Sequence, residues 1–114
     1  MMACRFSTVL GATTAAILLT AGMAMAQDNA RGIAVYGEQK CSLCHSIGGK
    51  GNPKGALDDV GSKLSADDIK AWITTPKEMA EKSKSERKPP MKAYPNLPAA
   101  DLSALVGYLQ SLKK

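Results

Sequence analysis

Five consecutive residues, Cys41-Ser42-Leu43-Cys44-His45, have the types and the spacing to do chemistry. Two thiols three positions apart, with a histidine directly after the second, suit covalent attachment of a c-type haem. Each cysteine can form a thioether with a vinyl group, and His45 is placed to ligate the iron. Other uses of the same residues fit less well. Half of a tetrahedral zinc site needs two further nitrogen or sulfur ligands, and the 114 residues hold one His and three Cys in all, the third being Cys4. A thioredoxin-like redox pair needs a βαβ setting, and no such alternation of strand and helix patterns occurs here. A plain structural disulfide between Cys41 and Cys44 stays open for an exported chain. A lone histidine is by default a core or surface residue, and only its place after Cys44 gives His45 a ligand's role.

Export is read from the first 26 residues. Arg5 gives a positive start, Val9 to Met25 is apolar, small and uncharged, and Ala24-Met25-Ala26 is the small-x-small pattern that signal peptidase cuts after. The competing reading is a retained membrane anchor, but the many Ala, Gly and Thr make a weak span. Cys4 precedes the apolar stretch and would leave with it. The expected organisation is therefore a cleaved signal peptide, residues 1–26, and one periplasmic domain, residues 27–114, with no stable membrane anchor after cleavage.

Residues 27–114 are few enough to need a staple such as a metal, disulfides or a cofactor, and the flat apolar face of haem would complete their core. Of the 15 Lys and Arg only Arg5 is lost with the signal, leaving fourteen against 10 Asp and Glu. The resulting +4 falls to about +2 if two haem propionates are ionised. That mild balance suits docking to acidic protein surfaces. It is too weak and too interleaved with acids for nucleic acid.

The elements that must position the motif follow from periodicity. Asp28 can cap a helix running to about Lys40, with Ile33, Tyr36 and Lys40 on one stripe and Gly32 one turn before Tyr36. A glycine there lets another helix cross closely. Ser46 to Gly61, with five glycines and one proline, reads as loop. Ser65-Ala-Asp-Asp68 begins a short helix carrying Ile69, Trp72 and Ile73, which must end near Thr75 because Pro76 disfavours helix before it. Lys77 to Lys88 is almost wholly charged and reads as a solvated helix or loop. Pro98-Ala-Ala-Asp101 opens a terminal helix with Leu102, Leu105, Leu109 and Leu112 along one side and two Lys to close it. No segment alternates long enough to argue for a sheet. The expected class is all-α.

In these features the chain resembles the small class I cytochromes c of the bacterial periplasm over nearly all of residues 27–114. The matching residues are Gly32 with Tyr36, Cys41-Ser-Leu-Cys44-His45, Leu57-Asp-Asp-Val-Gly61-Ser-Lys-Leu64, Asp68-Ile-Lys-Ala-Trp72-Ile, Pro90-Met91-Lys-Ala-Tyr94 and Leu105-Val-Gly-Tyr108-Leu109. The resemblance implies three to five helices around one covalently attached haem c, first and last helices crossing near Gly32 and Tyr108, and a methionine as second axial ligand. After signal removal only Met79 and Met91 remain. Met79 lies at helical spacing in the charged stretch, where a flexible side chain covers apolar surface. Met91 follows Pro89-Pro90, whose stiffness suits a loop that holds a thioether, and it matches the family pattern. The expected metal ligands are His45 and Met91, and the expected cofactor-binding residues are Cys41, Cys44, His45 and Met91. Family members often have Gly-Pro-x-Leu after the haem motif, with the proline carbonyl accepting a hydrogen bond from the histidine. Here Lys54-Gly55-Ala56-Leu57 stands in that place and the proline is at Pro53, while Lys92 replaces the Pro that commonly follows the methionine.

A histidine on one face and a thioether on the other leave no open position for substrate. The expected function is therefore that of a soluble, monomeric one-electron carrier, not an enzyme, serving acidic redox partners such as a dehydrogenase or a terminal oxidase. Two alternatives are a haem-based sensor or ligand-binding or catalytic haem protein whose sixth site opens, and an electron-accepting subunit fixed to one dehydrogenase.

Overall fold

The computed structural model describes the backbone of residues 20–114 and the side chains of residues 29–114. The greater part of the expected signal peptide, including Cys4 and Arg5, lies outside the described residues. Five helices are seen: α1 (Thr20–Glu38), α2 (Val60–Lys63), α3 (Ala66–Thr74), α4 (Pro76–Ser83) and α5 (Ala99–Gln110). The first does not begin at Asp28. With residues 1–26 still attached, helix continues upstream to Thr20 through Ala, Met and Gln, which are strong helix formers, so in that chain Asp28 is an interior residue and not a cap.

The face α1 buries is also one step off the expected stripe. Gly32 and Val35 are buried and Tyr36 and Gln39 half-buried, the i, i+3, i+4, i+7 set of one helical face, whereas Ile33 is 52% exposed. Lys40 leaves the helix in the left-handed conformation, φ 56°. Against this face lies α5, whose Leu105, Val106 and Leu109 are buried and whose Leu102 and Leu112 pack on the same core. The helices cross where expected. A Cβ on Gly32 would overlap the Ala104 carbonyl oxygen and lie 2.5 Å from Tyr108 Cβ, and the Tyr36 and Tyr108 rings meet edge to face with centroids 6.5 Å apart. Outside the crossing, Arg31 Nε and Nη2 each donate to the Asp101 carboxylate at 2.9 Å.

Lys113 and Lys114 lie beyond the end of α5 and do not close it; the N–H of Ser111 bonds the Gly107 and Tyr108 carbonyls instead. The tail is held against α2, where Gly61 N–H donates to the Leu112 carbonyl (2.8 Å) and the Lys114 amide donates to Asp59 (2.8 Å). α3 starts as its sequence suggests, Ser65 Oγ accepting from the Asp68 amide at 3.2 Å, and it buries Ile69 and Ile73 against α5. Pro76 then sits at the first position of α4, so the first half of the charged stretch is helix. The expected loop after the haem motif holds a small antiparallel hairpin, β1 (Ser46–Ile47) with β2 (Lys50–Gly51). Its turn is Gly48-Gly49, both at positive φ as such tight hairpins require. Two-residue strands are too short to leave a period in the sequence.

Among the described residues the buried hydrophobic core is Val35, Ile69, Ile73, Leu105, Val106 and Leu109. Around it stand half-buried Tyr36, Leu57, Val60, Leu64, Met91, Tyr94 and Leu97, all of which face one cavity.

Candidate functional site

The Cys-x-x-Cys-His run is held by its own backbone and by the loop after it. Cys41 to Leu43 form one turn of 3-10 helix, with the Cys44 and His45 amides both donating to the Cys41 carbonyl at 3.2 and 3.0 Å. That turn brings both thiols and the imidazole to one side. The loop then closes over it, since the Asn52 amide donates to the Ser42 and His45 carbonyls and Asn52 Nδ2 to Leu43. Cys41 and Cys44 are unpaired thiols.

His45 is oriented by a backbone carbonyl of the loop after the motif: its Nδ1 lies 3.0 Å from the Gly55 oxygen. With the imidazole neutral, Nδ1 carries the proton and donates, which leaves the Nε2 lone pair free for a metal. Burial favours that neutral form by pushing the imidazolium's pKa down; the Gly55 carbonyl opposes the shift and the positive charge of Arg87 adds to it. Gly55 stands where the Gly-Pro-x-Leu pattern has its proline, so the carbonyl keeps its role while the side chain is lost. Burial also pushes the Cys41 thiol up.

Met91 lies in a non-helical run between α4 and α5 that is tied down on both sides. Four residues before it, Arg87 Nη2 donates to the Cys44 carbonyl at 2.6 Å. Three residues after it, the Tyr94 amide donates to the Ile73 carbonyl (2.9 Å) and the Tyr94 hydroxyl to the Gln39 carbonyl (3.3 Å). The loop is thus fastened to the haem motif, α3 and the end of α1. Cys41, Cys44, His45 and Met91 all line one cavity of about 540 Å³. Met79, half-buried on α4, does not line it. Leu57, Val60, Leu64, Trp72, Pro90 and Leu97 supply much of its apolar wall. Among the described residues no group of three or more His, Cys, Asp or Glu comes together as a metal site would need.

Comparison with known proteins gives the geometry its family. A family model described as cytochrome c matches residues 29–113. The chain belongs to the cytochrome c family. It is also similar to the cytochrome c oxidase subunit 2 of Alkalihalophilus pseudofirmus, 30% identical over an alignment of 92 residues that covers 73% of this chain and 25% of that protein. The chain therefore corresponds to about a quarter of the length of that relative. No solved structure matches it. The class I cytochrome c fold agrees with the helices and their crossing described above, and the family implies haem.

The residues fit a haem on observations independent of the family. The cavity beside the thiols is largely apolar, as a flat hydrocarbon macrocycle needs. The Tyr36 hydroxyl on its wall is buried with no hydrogen-bond partner, and that desolvation pushes its pKa up to about 12. An orphaned buried hydroxyl is costly in a finished core, so the space beside it is shaped for something more than protein. Among the lysines near the motif, Lys92 lines the cavity and Lys50 and Lys54 sit exposed on the loop over the motif. Lys63 closes α2 instead. Sequence reasoning passed over Lys40, which lines the cavity, and Arg87, which carries no local signal within its run of charges.

Proposed function

We propose that this cytochrome c is a soluble one-electron carrier that holds one haem c through thioethers at Cys41 and Cys44, with His45 and Met91 as the axial ligands. Haem, when bound, would supply an iron able to alternate between Fe(II) and Fe(III). The chain's own residues orient the imidazole and hold the segment that carries the thioether. A thioether ligand favours Fe(II) and raises the potential, and a site filled on both faces changes oxidation state with little rearrangement. The observation that carries the reading is that Met91, on a loop fastened on both sides, shares the cavity with His45, while Met79 does not. We further propose export to the periplasm with cleavage after Ala26, on the pattern of residues 1–26.

The partner is the finer question. Similarity to an oxidase subunit 2 supports a terminal oxidase as electron acceptor ahead of a dehydrogenase as donor. The same relation favours a second reading, in which a domain of this type is a fixed electron-entry subunit. Co-purification with an oxidase at high salt would support the second reading, and a free monomer the first.

Visible spectra of the oxidised and reduced protein test the ligand set. Met91→Ala should abolish the weak red sulfur-to-iron band of the oxidised form, lower the potential and open the iron to carbon monoxide or imidazole, while Met79→Ala should do none of these. The reverse result would move the ligand to Met79. Ready binding of carbon monoxide by the unmutated reduced protein would instead support a sensor or catalytic haem protein.

A further inference from the structure

Arg87 is the one cation of the charged stretch that turns inward to the haem motif. Its Nη2 donates to the Cys44 carbonyl at 2.6 Å across 43 residues of chain. The space it occupies exists because residue 55 has no side chain. A Cβ on Gly55 would overlap the Cys44 carbonyl oxygen and lie 2.5 and 2.6 Å from Arg87 Nη2 and Nη1. The same Gly55 presents the carbonyl that His45 Nδ1 bonds. One buried glycine therefore touches both halves of the site, the imidazole through its oxygen and the Met91 segment through the guanidinium seated on its α-carbon.

The chemistry of the donor matters as much as its position. Guanidinium is planar and permanently charged, so a carbonyl bond from it is charge-assisted, shorter and stronger than a neutral one. Its face can lie flat against a glycine where a bulkier residue would hold it off. Pro89-Pro90 stiffens the short path from Arg87 to Met91, so a fixed Arg87 restrains the methionine, with Tyr94 restraining it from the other side. Without the first restraint the thioether would leave more readily, because a loop free to move regains entropy each time the weak bond opens.

We propose that Arg87, seated on Gly55 and bonded to the Cys44 carbonyl, is the positioning residue that holds the Met91 segment closed over the haem. The proposal rests on Met91 being the sixth ligand, and the test separates the two. In the haem-loaded ferric protein, Arg87→Gln should raise the affinity for imidazole by about tenfold, the scale expected for loss of one charge-assisted hydrogen bond. It should also lower the reduction potential, because a weaker thioether bond stabilises Fe(II) less. Gly55→Ala, whose Cβ would meet the Cys44 carbonyl oxygen as well as the guanidinium, should raise the imidazole affinity at least as much with Arg87 unchanged. Arg87→Lys keeps the charge but not the fork, and should recover less than half of the lost discrimination against imidazole.

An imidazole affinity of Arg87→Gln within twofold of the parent, with the sulfur-to-iron band present in both, would overturn the proposal and leave the ligand assignment standing. So would full recovery by Lys, which would make charge alone the cause. Absence of the sulfur-to-iron band in the parent would instead overturn the ligand assignment itself. If Gly55→Ala yields no folded protein, the Gln and Lys variants still decide the matter.

Discussion

The crossing of α1 and α5 gives a stability prediction whose size can be worked from the geometry. At Gly32 the missing Cβ would meet the Ala104 carbonyl oxygen and Tyr108 Cβ at 2.5 Å. Neither obstacle is a flexible side-chain end, so no rotamer change can clear the space and the two helices must part. Parting them loosens Val35, which is fully buried, and Leu105 and Leu109 opposite, and it separates the Tyr36 and Tyr108 rings. Overpacking of this kind costs about 1–3 kcal/mol, and loss of an edge-to-face aromatic pair about 0.5–1.5 kcal/mol more. For Gly32→Ala the better helix propensity returns about 1 kcal/mol, leaving a net loss of about 0.5–3.5 kcal/mol. Valine recovers less propensity and adds two methyls, so Gly32→Val should lose about 2–4 kcal/mol. Urea unfolding of the haem-loaded protein measures both, read as a lower midpoint with unchanged slope. A loss below about 0.5 kcal/mol for Gly32→Val would refute a backbone-limited crossing at this residue.

The remaining predictions concern attachment, docking and pH. Cys41→Ser with Cys44→Ser should give no covalent haem and little accumulated protein; normal yield of a compact haem-free double variant would contradict this. Electron exchange with an acidic partner should slow as salt rises, because Lys40 and Lys92 at the cavity and Lys50 and Lys54 beside it steer through charges screened beyond about 8 Å at physiological ionic strength; a flat or rising rate would count against a lysine-ringed face. The hydrogen bond from Arg31, with its charge, holds the Asp101 carboxyl below its ordinary range. Its folded pKa is thus below its unfolded one, so its contribution is present at neutral pH and is lost as pH falls below about 4. The stability gap between the parent and Asp101→Asn should be small, constant from pH 7 to about 5 and closing below that; a gap that widens in acid would refute the assignment.

What could be read in the sequence divides by range of interaction. The haem motif, the Ser65 start of α3 and the Leu-rich face of α5 were legible because each depends on residues within a turn or two of one another. The close crossing at Gly32 was legible for a different reason: a helical glycine is costly unless something presses on it. The buried face of α1 was read one step off, because Ile33 is the larger hydrophobe and Val35 the buried one, and only the partner helix decides between them. The upstream extent of α1 was missed because Asp28 is a good cap anywhere that helix actually starts, and here helix-forming residues precede it. Arg87 could not be found at all from its neighbours, since its role is set by a glycine 32 positions earlier in the chain.

The small core and the large cavity together explain why the two halves of the site lie on opposite ends of the chain's loops. Six buried hydrophobic residues from α1, α3 and α5 can align three helices, but they leave the half-buried ring of Leu57, Val60, Leu64, Met91, Tyr94 and Leu97 facing space. That ring comes mostly from segments with little regular structure, so its order depends on what fills the cavity and on a few long-range polar ties. Those ties are placed where chain is least able to order itself: Gly55 to His45, Arg87 to Cys44, and Tyr94 to Ile73 and Gln39. A bound macrocycle would add apolar contact at each of these segments at once, and binding to the folded state alone stabilises it. The cofactor that carries the electron would then also be the missing part of the core. For that reason loss of haem should loosen the Met91 loop and the α2 region well before it disturbs the α1–α5 crossing, whose contacts are made by protein alone.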